Sequence, residues 1–295
     1  MSNSPFDAQS TAEQVTEGLD LSGQTYLLTG CNSGLGYETA RVLGARGARI
    51  IGLARTKQTA ANALTALKVQ GEAVACDLAD LASVRRAVAE IEGLAVLDGL
   101  IANAGIMALP TLQQIAGYER QFFVNHIGHF VLVTGLLDRL SERARVVMLS
   151  SGAHRYASQG LELDNLSGET DYEPWRMYGR SKLANIFFAR ALTTRFAGGQ
   201  RTAVAVHPGV IETNLGRHVA DIDGMYSKLR HMMKTVAQGA ATQCYAATHP
   251  SLAGVSGVYL SDCAVSETTP ATLEDGQAEM LWTRSAEIAA SAPNA

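Results

Sequence analysis

From residue 25 onward, short apolar runs rich in β-branched residues alternate with longer segments whose apolar positions recur every three to four residues. The runs are TYLLTG (25–30), ARIIGLA (48–54), EAVACD (72–77), LDGLIANAG (97–105), ARVVMLSS (144–151), RTAVAVHPG (201–209) and GVSGVYLSD (254–262). Helical periodicity lies between them near 35–46, 57–69, 81–92, 112–141, 173–197 and 235–248. Strands that are apolar on both faces and separated by helices predict a parallel sheet covered on both sides. Seven such strands make an α/β protein with a single-domain, doubly wound Rossmann fold and helices on both faces. Ahead of them, residues 1–21 read as a polar N-terminal extension, with 1 to about 10 disordered and TAEQVTEGLD forming a short helix. No linker, repeat or low-complexity segment divides residues 22–295, and the tail after the last strand reads as part of the same domain.

Composition narrows the possible partners. Acidic residues outnumber basic ones by 28 to 24 and no long basic run occurs, which argues against nucleic acid. No apolar stretch reaches the roughly 18–20 residues that a membrane span needs. The N-terminus lacks the basic and apolar regions of a signal peptide. Cys31, Cys76, Cys244 and Cys263 lie far apart with no C-x-x-C pair, so neither a zinc site nor a disulfide framework is expected, and a reduced cytoplasmic setting fits. His126, His129, His154, His218, His231 and His249 lack metal-ligand spacing and read as surface or packing residues, so no metal is expected.

Three local patterns carry chemistry. The first run leads into TGCNSGLG, where Gly30, Gly34 and Gly36 open a helix. Glycines there permit the turn and let a pyrophosphate approach free N–H groups at the positive end of the helix. After the second run, where an acidic residue would bind ribose hydroxyls and favour NAD, stand Ala54 and Arg55. The guanidinium suits a 2′-phosphate and therefore NADP over NAD, the alternative being an ordinary solvated arginine. Asp77 ends the third run and is placed either to meet an adenine or to cap the helix beginning at Leu81. The third pattern is WRMYGRSKLANIF (175–187), which sets Tyr178 and Lys182 four residues apart and so on one side of a helix. An ammonium at that distance is expected to stabilise the phenolate and lower the tyrosine pKa.

These motifs, together with ANAG (102–105), Asn125 in FFVNHIGHF, Ser151 in VVMLSSGAH and HPGVIETN (207–214), occur in an order that resembles the short-chain dehydrogenase/reductase family. The match covers nearly all of residues 22–262 and is nearest to its retinol dehydrogenase-like branch, which also shares the lead-in LDLSG and the run SKLAN. The resemblance implies a catalytic set of Asn125, Ser151, Tyr178 and Lys182. Tyr178 would be the general acid/base, Lys182 would hold the nicotinamide ribose, and Ser151, rather than Ser150, would orient the substrate oxygen. Asn125 would hold a water linking Lys182 to solvent. It further implies nucleotide contacts at Gly30, Asn32, Ser33, Gly34, Leu35, Gly36, Arg55, Asp77 and Leu78, and at Asn103, Ala104 and Gly105 on the adenosine side. Around the nicotinamide it implies Pro208, Gly209, Val210 and Thr213. Ala102 stands where the family usually has a second asparagine.

The implied function is an NADP(H)-dependent alcohol dehydrogenase or carbonyl reductase. A cofactor-sensing protein without chemistry and an epimerase of the same fold are the alternatives. The complete Asn–Ser–Tyr–Lys set speaks against the sensor. A substrate loop at about 210–235 offers Leu215, Val219, Met225, Tyr226, Leu229, Met232 and Met233, with Ile106, Met107, Leu109, Leu161 and Trp175 in neighbouring loops. Either they form the wall of a site for a bulky apolar alcohol, aldehyde or ketone, or they pack the loop onto the domain. The apolar stretch ANIFFARAL, beside Lys182, is expected to face its copy in a homodimer or homotetramer, unless the monomer's own core absorbs Ile186, Phe187 and Phe188.

Overall fold

All seven expected strands pair in parallel within one sheet in the computed structural model, which describes residues 4–269 and 276–291. They are β1 (Thr25–Thr29), β2 (Arg49–Ala54), β3 (Gly71–Ala75), β4 (Leu97–Ala102), β5 (Leu140–Leu149), β6 (Thr202–His207) and β7 (Tyr259–Ser261). An eighth strand, β8 (Ala264–Val265), adds antiparallel to the edge. The order across the sheet is β8-β7-β6-β5-β4-β1-β2-β3. The extra strand arises because Asp262 and Cys263 both take left-handed backbone conformations, with φ of 53° and 59°, and so turn the chain tightly back on itself. Neither residue is glycine, so the usual sequence mark of such a turn is missing.

The strand order reverses between β1 and β4, and the crevice at their carboxyl ends is where a doubly wound sheet offers a ligand site. One face of the sheet is covered by α4 (Leu81–Glu92), α5 (120–135), α6 (Pro174–Arg195) and α9 (Gln277–Ser291). The other carries α1 (Ala12–Val15), α2 (Gly34–Ala45), α3 (Lys57–Leu67) and α8 (Val236–Thr248). Between β6 and α8 lies α7 (Ile222–Leu229), in the expected substrate loop.

Two stretches differ from the pattern reading. Residues 112–141 do not form one helix: a hairpin of Gln114–Ile115 with Tyr118–Glu119 precedes α5, because Ala116 and Gly117 both have positive φ and reverse the chain. Glu119 then starts α5 by accepting from Gln121 N and Phe122 N at 3.0 and 2.9 Å. A π-helical turn, Phe123–Ile127, interrupts α5 at Asn125. At the N-terminus, residues 4–10 are not loose as expected; Phe6 sets its ring edge-on to Tyr245 at 5.6 Å.

The apolar face of α6 is covered from within the chain. Ile186, Phe187 and Phe188 are buried. Trp282 of α9 packs on Phe130 and Phe188, with ring centroids 5.0 and 5.8 Å apart. The Arg195 guanidinium lies 3.4 Å over the Trp282 ring and forms two bonds to Glu279. The face on which a dimer was expected is therefore occupied by α9. Trp282→Ala should lower unfolding free energy by about 3 kcal/mol, from the lost aromatic packing and cation–π contact. Chemical denaturation reads this directly, and a loss under about 1 kcal/mol would mean that α9 is only loosely docked.

Candidate active site

The carboxyl ends of β1, β4, β5 and β6 converge on one crevice, and the local chemistry of each loop follows from where its strand stops. At the end of β1 the chain turns through Gly30 and Gly34, both with positive φ, into α2. A Cβ on Gly36 would lie 2.1 Å from the Gly30 carbonyl oxygen, so the turn closes only with glycine there. Ser33 precedes α2 without a side-chain capping bond. That end of α2 keeps its positive dipole unneutralised by the protein.

Asn103 braces this turn. Its Nδ2 donates to the Thr29 carbonyl at 2.9 Å, and a Cβ on Gly36 would meet the same atom at 2.7 Å. Arg55 follows β2 with an exposed side chain. Asp77 does not cap α4; Asp80 does, while Asp77 Oδ1 accepts from Ala79 N at 3.0 Å in a local turn beyond β3. Leu78 is buried against the position of Gly128.

Tyr178, Lys182 and Ser181 project from one side of α6, and all three are buried. The Lys182 ammonium donates to the Leu149 carbonyl at 3.1 Å and lies 5.6 Å from the centre of the Tyr178 ring. Ser151, just past β5, brings its hydroxyl to the Tyr178 phenol, and this bond favours the phenolate. Ser150 points the other way and donates to the Lys182 carbonyl at 2.8 Å. Of the two serines, Ser151 is the one beside the phenol.

Asn125, in the π turn of α5, accepts from Ile106 N at 2.9 Å and donates to Ile106 O and Ser181 Oγ, each at 2.9 Å. Gly105 lies beside this amide and Lys182. A Cβ there would sit 3.0 Å from Asn125 Oδ1 and 3.4 Å from Lys182 Nζ. Asn125, Tyr178 and Lys182, all buried, and the half-buried Ser151 therefore lie together at one place, brought there by the end of β5 and by α5 and α6.

The electrostatics depart from the expectation drawn from spacing. Burial pushes the Tyr178 phenol up to about 12, and the Ser151 bond only partly opposes it. Burial likewise brings Lys182 down to about 8. Desolvation acts on both groups and outweighs their mutual attraction, so proximity on one helix does not by itself make the phenol acidic.

The chain belongs to the short-chain dehydrogenase/reductase family. The short chain dehydrogenase family matches residues 24–163. A chloroplastic short-chain dehydrogenase of Brassica napus, TIC 32 B, is 37% identical over 98% of this chain and 96% of its own length. Human retinol dehydrogenase 14 is 38% identical over 88% of this chain and 84% of its own. Among solved structures, a blue fluorescent protein from a metagenomic library, in complex with NADPH, superposes with a TM-score of 0.68 at 25% identity, over 82% of this chain and 97% of that one.

In this family member, histidines that lack any metal-ligand spacing turn out to hold the site. His154 is buried and bonds through Nδ1 to the Ser151 carbonyl at 2.7 Å. His207 Nδ1 accepts from Gly152 N at 3.0 Å. Together they clamp the backbone on either side of the Ser151–Gly152 peptide. His129 and His126 are buried within α5. Sequence periodicity could have flagged only their positions on a helix, not their partners.

The remaining expected contacts surround the cluster. Pro208 and Gly209 end β6, and Val210 joins a two-residue ladder with Met233. Thr213 Cγ2 would touch a Cβ on Gly34 at 3.3 Å, so the substrate loop begins on the glycine turn. Leu35 packs behind that turn against Gly239, while Asn32 is exposed. Met107, Ala108, Ala153 and Tyr178 form a small apolar cluster joined by Trp175, Leu215 and Val219. Leu161 belongs to the main core and Met232 is 56% exposed, so neither adds to that wall. Among the described residues, no helix is long and apolar enough to cross a membrane.

Because the Gly30 backbone and the hydrogen-bonded Asn103 amide face the missing Cβ, Gly36→Ala should cost about 1–3 kcal/mol through overpacking. An unchanged melting temperature would show that the turn yields easily.

Proposed function

We propose that the protein is an NADP(H)-dependent oxidoreductase acting on bulky, mostly apolar alcohols, aldehydes or ketones. The observation that carries the reading is the meeting of buried Tyr178, Lys182 and Asn125 with the half-buried Ser151 beside an apolar wall. The glycine turn with its uncapped helix end fits a dinucleotide pyrophosphate. Arg217, in the loop after β6, is depressed in pKa first by burial and then by the nearby charge of Arg55. Two like charges held together suit a dianion such as the 2′-phosphate. The solved relative that carries NADPH supports the same cofactor.

When bound, the nicotinamide nucleotide supplies or accepts the hydride. This chain's own residues do the rest. Ser151 orients the substrate oxygen, and Tyr178 exchanges the proton with it. A phenol raised to about 12 keeps its proton at neutral pH and is thereby ready to donate to a nascent alkoxide. The charged Lys182 ammonium would stabilise the phenolate left after that donation and hold the ribose. Asn125 is engaged through its side chain by Ile106 and Ser181 and through its carbonyl by His129. The buried, separate thiols suit a reducing compartment such as a cytoplasm.

Tyr178→Phe should abolish turnover while leaving NADPH affinity within about threefold, since the lost hydroxyl belongs to proton transfer. An active phenylalanine variant would sink the assignment. Arg55→Ala should weaken NADPH over NADH by about 1.5–3 kcal/mol; equal losses for both would remove the 2′-phosphate from the argument. Lys182 titrates at about 8 in the free protein, and a polyanionic ligand raises that value, so binding takes up a proton above pH 8. NADPH affinity should accordingly fall as pH rises through about 8 to 9, by up to about tenfold per pH unit. Fluorescence titration of Lys182→Met should show that dependence gone.

A further inference from the structure

His129 is fully buried, and both of its ring nitrogens are engaged: Nε2 with Thr29 Oγ1 at 3.0 Å and Nδ1 with the Asn125 carbonyl at 3.0 Å. The direction of these bonds can be deduced. A threonine hydroxyl has one hydrogen and two acceptor positions. Thr29 Oγ1 already accepts from Asn103 N and Ala104 N, each at 2.9 Å. Its hydrogen is left for His129 Nε2, which must therefore be the bare nitrogen. The ring proton then sits on Nδ1 and donates to the Asn125 carbonyl. Any other arrangement would set two hydrogens against each other or leave the carbonyl facing a lone pair.

The chain of bonds continues on the far side of Asn125. Asn125 Nδ2 donates to Ser181 Oγ, and Ser181 Oγ donates to the Tyr178 carbonyl at 2.7 Å. One directed path thus runs from the glycine turn and the end of β4, through Thr29, His129, Asn125 and Ser181, to the backbone of Tyr178. The ring stays neutral: burial brings His129 down to about 4, and the charge of Lys182 adds to this against the bond to Asn125.

We propose that His129 is a positioning residue which, locked as a single tautomer, ties the nucleotide-side turn to the catalytic helix pair and so sets Asn125. Its effect on turnover rests on the reading of Asn125 and Tyr178 as catalytic machinery; its tautomer and its bond to Thr29 do not.

Two variants each keep half of the bridge. In His129→Asn the side-chain amide nitrogen takes the place of Nδ1 and still serves the Asn125 carbonyl, but Thr29 loses its acceptor. In His129→Gln the amide oxygen reaches the place of Nε2 and serves Thr29, but the Asn125 carbonyl is released. The asparagine variant should keep kcat within about threefold and weaken NADPH binding up to about tenfold, the worth of one hydrogen bond. The glutamine variant should do the reverse, keeping the Kd for NADPH and lowering kcat about tenfold. Long-range proton–nitrogen NMR of the wild-type imidazoles should show, beside the ring of His154, a neutral Nδ1–H ring that does not titrate between about pH 8 and about pH 5 and that is missing from the His129→Gln spectrum. This spectrum needs no turnover, so it stands even if the oxidoreductase reading fails. An Nε2–H tautomer, titration near the ordinary histidine value, or the same pattern of losses in both variants would overturn the proposal. If either variant fails to fold, the wild-type tautomer decides it alone.

Discussion

A buried ammonium needs an acceptor and a negative or polar surround, and the site depends on meeting that need at Lys182. Its position is fixed by the carbonyl of Leu149 at the carboxyl end of β5, a group left over where the parallel ladder stops. Parallel strands end in step, so the neighbouring ends of β1, β4 and β6 deliver their loops to the same place. Gly105 reaches Lys182 and the Ser151 hydroxyl reaches Tyr178 from there, while the glycine turn packs on Asn103 and Ala104. Removing water from this cluster is what makes the hydrogen bonds directional and also what moves both titratable groups away from their ordinary values.

The apolar side of the site is smaller than the loop's composition suggests. Trp175 stands edge-on to Tyr178 with centroids 6.2 Å apart, and Leu215 and Val219 close the same cluster. Met225 and Tyr226 lie on α7, whose residues are at most half-buried, and Met232 faces solvent. The apolar wall beside the Tyr178 phenol thus consists of a few residues only. The loop is anchored at both ends, by Thr213 against the glycine turn and by the ladder of Val210–Ile211 with Met233–Lys234.

The rear of α6 shows how a tail segment changes what a helix can do. Phe187 and Phe188 would form a sticky surface on an isolated domain, but α9 buries them and adds its own hydrogen bond from His126 to Ser285 at 2.8 Å. The helix that carries the tyrosine is thereby held from both sides, by β5 in front and α9 behind. Such support fixes Tyr178 relative to Ser151, and the proposed proton transfer would depend on that placement.

The sequence by itself determined the seven parallel strands, the glycine turn and the facing of Tyr178 and Lys182, because each follows from a local period or a local steric demand. Strand alternation and four-residue spacing need no distant partner to be read. The eighth strand and the break of the 112–141 segment escaped because non-glycine residues, Asp262, Cys263 and Ala116, adopt left-handed turns that propensity disfavours. The meeting of Ser151 and Asn125 with Tyr178 spans long separations and came from resemblance, and only the folded chain shows the bonds that make it. Tertiary structure alone decided three further things: the neighbours of Gly105, the partners of His129, His154 and His207, and the weak acidity of the phenol. A histidine's partners and a phenol's solvation depend on which surfaces meet across the chain, and no local pattern encodes that.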